Sequence, residues 1–321
     1  MVLSAGCSVN QEPNGNGDGV GDDSNRQGED QDSAACRVVD LVFSVDNSGS
    51  MTEEKQALRQ DDVFGDFARA LAQVGGGLED YRVGVLDSCP DPAELHTRGE
   101  AAHGDPIECH FSSDQPWMTS GPELPTEFAC AGSIYTDFAD PNTYRCSDDD
   151  DTDERPAQAV AAAVEQSGKD GLNQGFLRND ALLVLVAMTD EDENMLVTDA
   201  NGKLLMDGGD PVETSPREVY NRLANLKGGQ AQRMVFVGIA GKDGCEEGEG
   251  AFGKAKSAQR LQEITEYFND PALGNESGRG IFWDLCAGDL ASALTQALDV
   301  IERACGELPD QPELPPGPFV F

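Results

Sequence analysis

Basic residues are scarce in this 321-residue chain, and their scarcity excludes several kinds of partner. The chain has 22 lysines and arginines against 60 aspartates and glutamates, so its formal net charge is −38. Because such a surface repels phosphate groups, we exclude nucleic acid and anionic lipid headgroups as partners held by charge. An acidic surface attracts divalent cations instead, although its charge can also serve solubility alone.

Other features that many proteins rely on are also missing. No run of about 18 apolar residues occurs, so we expect no segment that spans a membrane. The nine cysteines include no C-x-x-C pair, which argues against zinc-ribbon and thioredoxin-type sites. The chain has 3 histidines and no Gly-x-Ser-x-Gly elbow, so we predict that it is not an enzyme.

The cysteines that are present are widely spaced, which favours disulfides in an oxidising compartment. Cys7 stands apart and closes the segment LSAGC, which resembles the end of a bacterial lipoprotein signal, where the cysteine becomes lipid-modified. Residues 1–7 would then be the remnant of that signal, and eight cysteines would remain for disulfides. We therefore expect a cell-envelope protein, either an outer-membrane lipoprotein or a periplasmic or extracellular one, that meets the membrane only through its lipid anchor. The alternative is a chance Ala-Gly-Cys.

Residues 8–35 are polar and acidic and have almost no apolar side chains, so they read as a flexible tether. Within this linker, oxygen-bearing side chains alternate with the spacing of a calcium loop that resembles a thrombospondin type 3 repeat. The candidate calcium ligands are Asn14, Asn16, Asp18 and Asp22. A plain linker is the alternative interpretation.

From residue 36 to residue 305 apolar β-prone runs alternate with amphipathic stretches, which predicts an α/β domain. Its sheet would be doubly wound and mostly parallel, with helices on both faces. The predicted strands are 38–45, 81–86, 181–188, 233–239 and 280–285, and the predicted helices are 53–74, 155–166, 215–226, 257–268 and 289–304. Residues 88–152, with four cysteines, break the alternation and predict a disulfide-rich insertion, and residues 306–321 form a Pro-rich tail.

Polar side chains follow two of the predicted strands. Asp46, Ser48 and Ser50 come directly after the first strand, and Asp190 follows the strand 181–188. Because the carboxyl ends of parallel strands meet at one edge of a sheet, we expect these side chains to lie together. Oxygen ligands without histidine or cysteine suit Mg²⁺, Mn²⁺ or Ca²⁺. Alternatively, the serines merely cap the following helix.

The pattern D-x-S-x-S after an apolar strand, with a later strand that ends in Thr-Asp, resembles the von Willebrand factor type A domain over residues 37–305. That resemblance implies a Rossmann-like six-stranded sheet and a metal-ion-dependent adhesion site. It implies that Ser48 and Ser50 coordinate the metal directly, and that Asp46 and Asp190 act through water from opposite sides. The remaining ligand would be Thr152 or Glu154.

A second cation site is a weaker candidate. It would use Glu191 and Asp192 together with the acidic run 148–151, and Glu191 stands where the family usually has a glycine after its aspartate. A solvated acidic loop is the alternative.

The predicted fold also suggests which cysteines pair. Cys36 precedes the first strand and Cys305 closes the last helix, so we expect them to be bonded. Cys245 and Cys286 each follow a strand at the metal edge and form the second predicted pair. The insertion cysteines would pair among themselves, and these are Cys89, Cys109, Cys130 and Cys146. The insertion would overhang the metal and shape partner specificity.

The function expected from these features is adhesion. A divalent cation, Mg²⁺ or else Mn²⁺ or Ca²⁺, would bind a protein or another extracellular ligand that offers a carboxylate. The alternative is a structural envelope lipoprotein whose cation only stabilises the fold. A glutamate at position 154 favours this alternative, because it would lower the net charge of the metal.

Overall fold

A computed structural model describes residues 38–59, 63–71, 73–74, 80–90, 92–101, 104–135, 154–197, 205–250, 253–275 and 278–308. The chain divides into two units, Met1–Asp32 and Ser33–Phe321, and all the described residues belong to the second unit. Several sequence predictions fall outside these residues: the lipid attachment at Cys7, the linker 8–35 with its calcium loop, Cys36, Cys146, the acidic run 148–151, Thr152 and most of the tail 306–321.

The described residues form an α/β fold. The strands are β1 (Val38–Val45), β2 (Asp80–Leu86), β3 (Arg98–Glu100), β4 (Pro106–Glu108), β5 (Met118–Thr119), β6 (Leu182–Met188), β7 (Met206–Asp207), β8 (Asp210–Pro211), β9 (Met234–Ala240), β10 (Cys245–Gly250), β11 (Gly253–Ala255) and β12 (Gly280–Asp284). The α-helices are α1 (Thr52–Arg59), α2 (Val63–Leu71), α3 (Leu124–Gly132), α4 (Pro156–Glu165), α5 (Pro216–Asn225), α6 (Gln259–Tyr267) and α7 (Leu290–Glu307).

The main sheet has six strands in the order β12-β9-β6-β1-β2-β5. Five of them run parallel, and β5 pairs antiparallel with β2 at the edge. Strand β1 lies between β2 and β6, where Phe43 faces Val85 on one side and Val186 on the other. The sheet is therefore mostly parallel, as the sequence predicted.

Side chains on the two faces of the sheet enter two separate hydrophobic cores. Leu41, Phe43 and Val45 pack against α2, α3 and α7, whereas Val42 packs with α4, α5 and α6 on the opposite face. This division follows from the two-residue period of a strand. Because both faces are covered, β1, β6 and β9 appear in the sequence as nearly continuous apolar runs. Within the described residues, no helix is both long and apolar enough to cross a bilayer.

Three features of the secondary structure differ from the prediction. The region predicted as one helix, 53–74, contains the two helices α1 and α2, and Val74 lies beyond the second. The insertion is more regular than expected, since it contributes β3, β4, β5 and α3. Helix α7 continues to Glu307, past residue 306, where the tail was expected to start.

Six cysteines of the described residues are disulfide-bonded. Cys109 and Cys130 join β4 to α3 within the insertion. Cys245 and Cys286 form the pair that their positions after two strands predicted. The remaining two disulfide-bonded cysteines are Cys89 and Cys305.

Candidate metal site

Asp46 occupies the centre of the polar edge of the sheet. Its backbone N–H donates to the carbonyl of Met188 at 2.9 Å, which continues the pairing of β1 with β6 by one residue. The carboxylate is completely buried. Its Oδ1 accepts the backbone N–H of Ser48 at 2.8 Å, and its Oδ2 accepts the hydroxyl of Thr189 at 2.7 Å. Both oxygens therefore have partners, and Asp46 fixes the loop that carries the serines.

The two serines lie beside each other and reach toward the neighbouring strand. The hydroxyl oxygens of Ser48 and Ser50 are 2.9 Å apart, and Ser50 Oγ donates to Asp190 Oδ1 at 3.2 Å. Among the described residues, neither hydroxyl accepts a backbone N–H of helix α1. The capping alternative is thus not supported, and residues from the ends of β1 and β6 converge as the sequence predicted.

Asp190 is the second carboxylate of this cluster and is only 4% exposed. Its backbone carbonyl accepts the N–H of Lys256 at 2.7 Å, which holds the loop after β6 in place. Burial, and then the neighbouring charge on Asp46, raises the pKa of Asp190 to about 7. Burial also raises the pKa of Asp46 above its ordinary value. The charge of Lys55 opposes this rise at Asp46 only in part. Two buried acids this close together are a costly arrangement unless a cation or protons compensate them.

Glu154 is the described member of the two candidates for the last metal ligand. Its backbone carbonyl accepts the N–H of Asn194 at 3.0 Å, and the N–H of the next residue, Arg155, donates to the carbonyl of Ser88. The side-chain oxygen Oε2 is buried and has no hydrogen-bond partner. Burial, and then the charge on Asp46, raises the pKa of Glu154 to about 8.

Glu54, in the first turn of helix α1, is a further buried acid that the strand-end pattern did not indicate. This side chain is fully buried, and neither of its carboxylate oxygens has a hydrogen-bond partner. Burial is the main cause that raises its pKa to about 7, and the charges on Glu53 and Asp46 add to it. Helix α1 carries Glu53, Glu54 and Lys55 in succession. Charged residues usually lie on the solvent face of an amphipathic helix, so this pattern did not indicate that Glu54 is buried.

Sequence analysis also overlooked Asp87, which follows β2 at the same edge of the sheet. It is 4% exposed, accepts the N–H of Cys89 at 2.9 Å, and lies 3.5 Å from the ring of His96. Burial raises its pKa. The signal that found Asp46, a carboxylate directly after a buried strand, is present here too and predicts its location.

The acidic residues after Asp190 have structural partners. Glu191 forms an ion pair with Lys256 at 2.6 Å. Asp192 Oδ1 accepts the backbone N–H groups of Arg260 and Leu261 at the start of α6. These contacts give no support to the second cation site predicted at Glu191 and Asp192. Glu191 already neutralises Lys256, and Asp192 already caps the start of helix α6.

Glu193 completes this run. It is fully buried and accepts the backbone N–H groups of Ala157 and Gln158 at 2.8 Å and 3.1 Å, so it caps helix α4 from outside the helix. Helix α4 starts at Pro156, two residues after Glu154. The contact therefore fixes the position of Glu154 relative to the loop that carries Asp190.

A cation at this edge would depend on hydroxyl ligands. Within the described ranges, no three histidine, cysteine, aspartate or glutamate side chains gather closely enough to hold a metal ion by themselves. Ser48 and Ser50, whose oxygens lie side by side, are therefore essential to any such site. The donor set is made of oxygen alone, which fits Mg²⁺, Mn²⁺ or Ca²⁺ and not zinc.

Comparisons with known proteins add little. No family model matches the sequence, and no curated protein matches it either. Among solved structures, one that is similar is proximal thread matrix protein 1 from the mussel byssus, with 11% sequence identity and a TM-score of 0.41. The similarity covers 83% of this chain, which spans 49% of that protein. A likeness this weak carries no argument about function.

Proposed function

We propose that this protein is a von Willebrand A-type module that binds a protein or another extracellular ligand through a divalent cation. The observation that carries the proposal is the contact of Ser50 with both Ser48 and Asp190, which joins the ends of two neighbouring strands. The six-stranded, mostly parallel sheet supports the same resemblance. The buried Lys55 lies near Asp46, but its Nζ donates to the backbone carbonyl of Asn47 at 3.0 Å, and burial still raises the pKa of Asp46 and of Asp190. A cation at the serine hydroxyls would compensate this remaining negative charge.

Each residue of the site has a distinct role in this proposal. Ser48 and Ser50 would hold the metal directly, and Asp190 would hold it through water. Asp46, whose two oxygens are already used, would orient the serine loop. The cation would supply Lewis acidity toward a carboxylate of the ligand. Because hydroxyl ligands are neutral, the metal would keep enough positive charge to attract that carboxylate.

A metal titration tests the proposal. Mg²⁺, Mn²⁺ and Ca²⁺ are each added to the metal-free protein, and the melting temperature is followed, since a ligand that binds only the folded state stabilises it. We expect the wild-type protein to be stabilised and the Ser48→Ala variant to respond much less. Ser167→Ala is a matched control, because within the described residues the hydroxyl of Ser167 makes one hydrogen bond, of 3.5 Å, to the carbonyl of Ala163 in α4. The proposal fails if none of the three ions stabilises the wild type.

A structural role for the cation is the second candidate, and Glu154 favours it. Glu154 Oε2 is buried and has no hydrogen-bond partner, and in this role it would fill the coordination position that a ligand would need. The two functions differ in whether a metal-bound water can exchange with solvent. With Mn²⁺ as the probe, enhanced relaxation of water protons indicates an open coordination position. If the wild type shows no enhancement and Glu154→Thr does, Glu154 closes the site and the cation has a structural role.

A further inference from the structure

The insertion carries a pocket that is separate from the candidate metal site. It has a volume of about 450 Å³ and lies between the segment after β4 and helix α3. This volume is within the range of sites that take small ligands or single side chains. The residues that line it are Glu108, Cys109, His110, Phe111, Ser112, Glu123, Thr126, Glu127 and Cys130.

One wall of the pocket is apolar and rigid. It consists of the Cys109–Cys130 disulfide and the ring of Phe111. Cys109 and Phe111 also belong to the hydrophobic core, which holds this wall in place. Such a wall suits a hydrocarbon chain and not a small hydrated ion.

Helix α3 also contributes to the pocket an acid whose hydrogen bonding is incomplete. Glu127 is 6% exposed, and its Oε1 accepts the backbone N–H of Ser112 at 2.7 Å. Its Oε2 is buried and has no partner among the described residues. A buried carboxylate oxygen without a donor is costly, so a ligand that donates to it gains affinity from that contact.

The charges around the pocket define the donor. Glu108 and Glu123 are exposed at its rim and, within the described residues, take part in no ion pair. A metal ion fits poorly, because no three acidic or imidazole groups of the described chain are close enough to hold one. A guanidinium group usually pairs with both oxygens of a carboxylate, and here one oxygen is taken by Ser112. An ammonium group needs only one.

We propose that this pocket binds an alkylammonium group, such as the side chain of a lysine. The ammonium would donate to Oε2 of Glu127, with Glu108 and Glu123 adding long-range attraction. The hydrocarbon stem would lie along the disulfide and Phe111. A polypeptide lysine and a free aliphatic diamine share this chemistry, and the two sources are separated experimentally.

The test is a titration of the full-length protein, followed by amide NMR in the presence of EDTA. The probe is Nα-acetyl-lysine N-methylamide, and its neutral match is Nα-acetyl-norleucine N-methylamide. We expect the lysine compound, and not the norleucine compound, to shift the resonances of Cys109, Phe111 and Thr126. Cadaverine is the free-amine arm, and binding of cadaverine alone assigns the site to free amines. EDTA excludes the proposed divalent cation, so failure here is distinct from failure of the proposed adhesion site.

Variants locate the binding. Glu127→Gln keeps an oxygen for the N–H of Ser112 and removes the charge, so we expect at least about tenfold weaker binding. Glu302→Gln, on the exposed face of α7, is the control with unchanged affinity. Should Glu127→Gln not fold, Glu123→Gln at the rim is expected to weaken binding roughly threefold. Equal binding of the norleucine compound, no response to lysine or cadaverine, or unchanged affinity in these variants overturns the proposal.

Discussion

The hydroxyl of Thr189 donates a hydrogen bond of 2.7 Å to Oδ2 of Asp46, and both residues are completely buried. The contact joins the residues that directly follow β6 and β1. It also leaves Thr189 Oγ1 able to accept the backbone N–H of Glu191 at 3.0 Å. One hydroxyl thus fixes both the central carboxylate of the candidate metal site and the loop that carries Asp190.

Replacing Thr189 by valine keeps the shape of the side chain and removes this hydroxyl. Because Asp46 Oδ2 then has no donor and stays buried, we expect the free energy of unfolding to fall by about 1–3 kcal/mol. Urea unfolding measures this change. The control is Thr295→Val, since Thr295 is exposed on α7 and, in the part of the chain that the structure describes, its hydroxyl donates to the carbonyl of Ala291 alone. Its effect should stay within about 0.5 kcal/mol. Thr189→Ser should restore most of the loss, and a valine variant as stable as the wild type would contradict the assigned role.

The part of this site that the sequence predicted depends on one rule. Carboxyl ends of parallel strands share an edge of the sheet, so Asp46 and Asp190 were expected to lie together. The buried acids around them, Glu193 and Glu54, were not predictable by this rule. Glu193 caps a helix that begins far from it in sequence, and Glu54 is buried by packing that no local pattern encodes. Tertiary contacts of this kind appear only after the chain is folded.

The strands of the main sheet also divide into those that the sequence predicts and one that it does not. The central strands β1, β6 and β9 are apolar runs because both of their faces are covered. All five parallel strands were predicted within about two residues, the usual precision of element ends. Strand β5 has two residues, Met118 and Thr119, and its pairing with β2 is set by the long insertion. A strand this short has no periodicity to recognise. Its antiparallel direction therefore had no signal in the sequence.

Glu154 is expected to strengthen the binding of Ca²⁺ at the proposed metal site. Glu154→Gln removes one negative charge near Asp46 and Asp190, and Ca²⁺ sites depend strongly on ligand charge. We expect the affinity for Ca²⁺ to fall about tenfold, which corresponds to about 1.4 kcal/mol. Calorimetric titration of the metal-free protein measures it. The exposed variant Glu302→Gln should bind Ca²⁺ like the wild type, and an unchanged affinity in Glu154→Gln would remove Glu154 from the ligand set.

A buried ion pair near the start of β1, at the end of the sheet opposite the candidate metal site, is expected to be important for stability. Arg178 Nε donates to Oδ1 of Asp40 at 2.8 Å, and its backbone N–H donates to Oδ2 at 2.7 Å. Asp40 is fully buried in β1, and burial raises its pKa even though the charge of Arg178 opposes this. Removing the guanidinium leaves a buried carboxylate without its charged partner. Arg178→Met should therefore cost about 3–5 kcal/mol in urea unfolding.

Two further variants separate this effect from loss of packing. Asp40→Asn combined with Arg178→Met should recover a large part of the loss, because the uncompensated charge is gone. Arg69→Met is the exposed match, since Arg69 pairs with Asp66 at 2.5 Å on the surface of α2. It should change stability by less than about 1 kcal/mol. If the double variant is no more stable than Arg178→Met, packing and not charge explains the loss.

Lys227, next to this ion pair, is expected to make stability depend on pH in the alkaline range. Its Nζ donates to the carbonyl of Arg178 at 2.6 Å, and the residue is 8% exposed. Burial, and then the charge on Arg233 against the opposing effect of Asp40, lowers the pKa of Lys227 from 10.5 to about 8. The folded protein therefore releases this proton at a lower pH than the unfolded chain does.

Between these two pKa values the unfolded state holds more protons, so the contribution of Lys227 to stability rises with pH. It is lowest and constant below about pH 8, and it should increase by about 3 kcal/mol by about pH 10.5. Lys227→Met has no such group, and it retains every other titrating residue of the chain. Urea unfolding of both proteins across this range should give a difference in free energy that grows with pH in favour of the wild type. A difference that stays constant would mean that Lys227 titrates alike in the folded and unfolded states, and that its burial is not what the structure indicates.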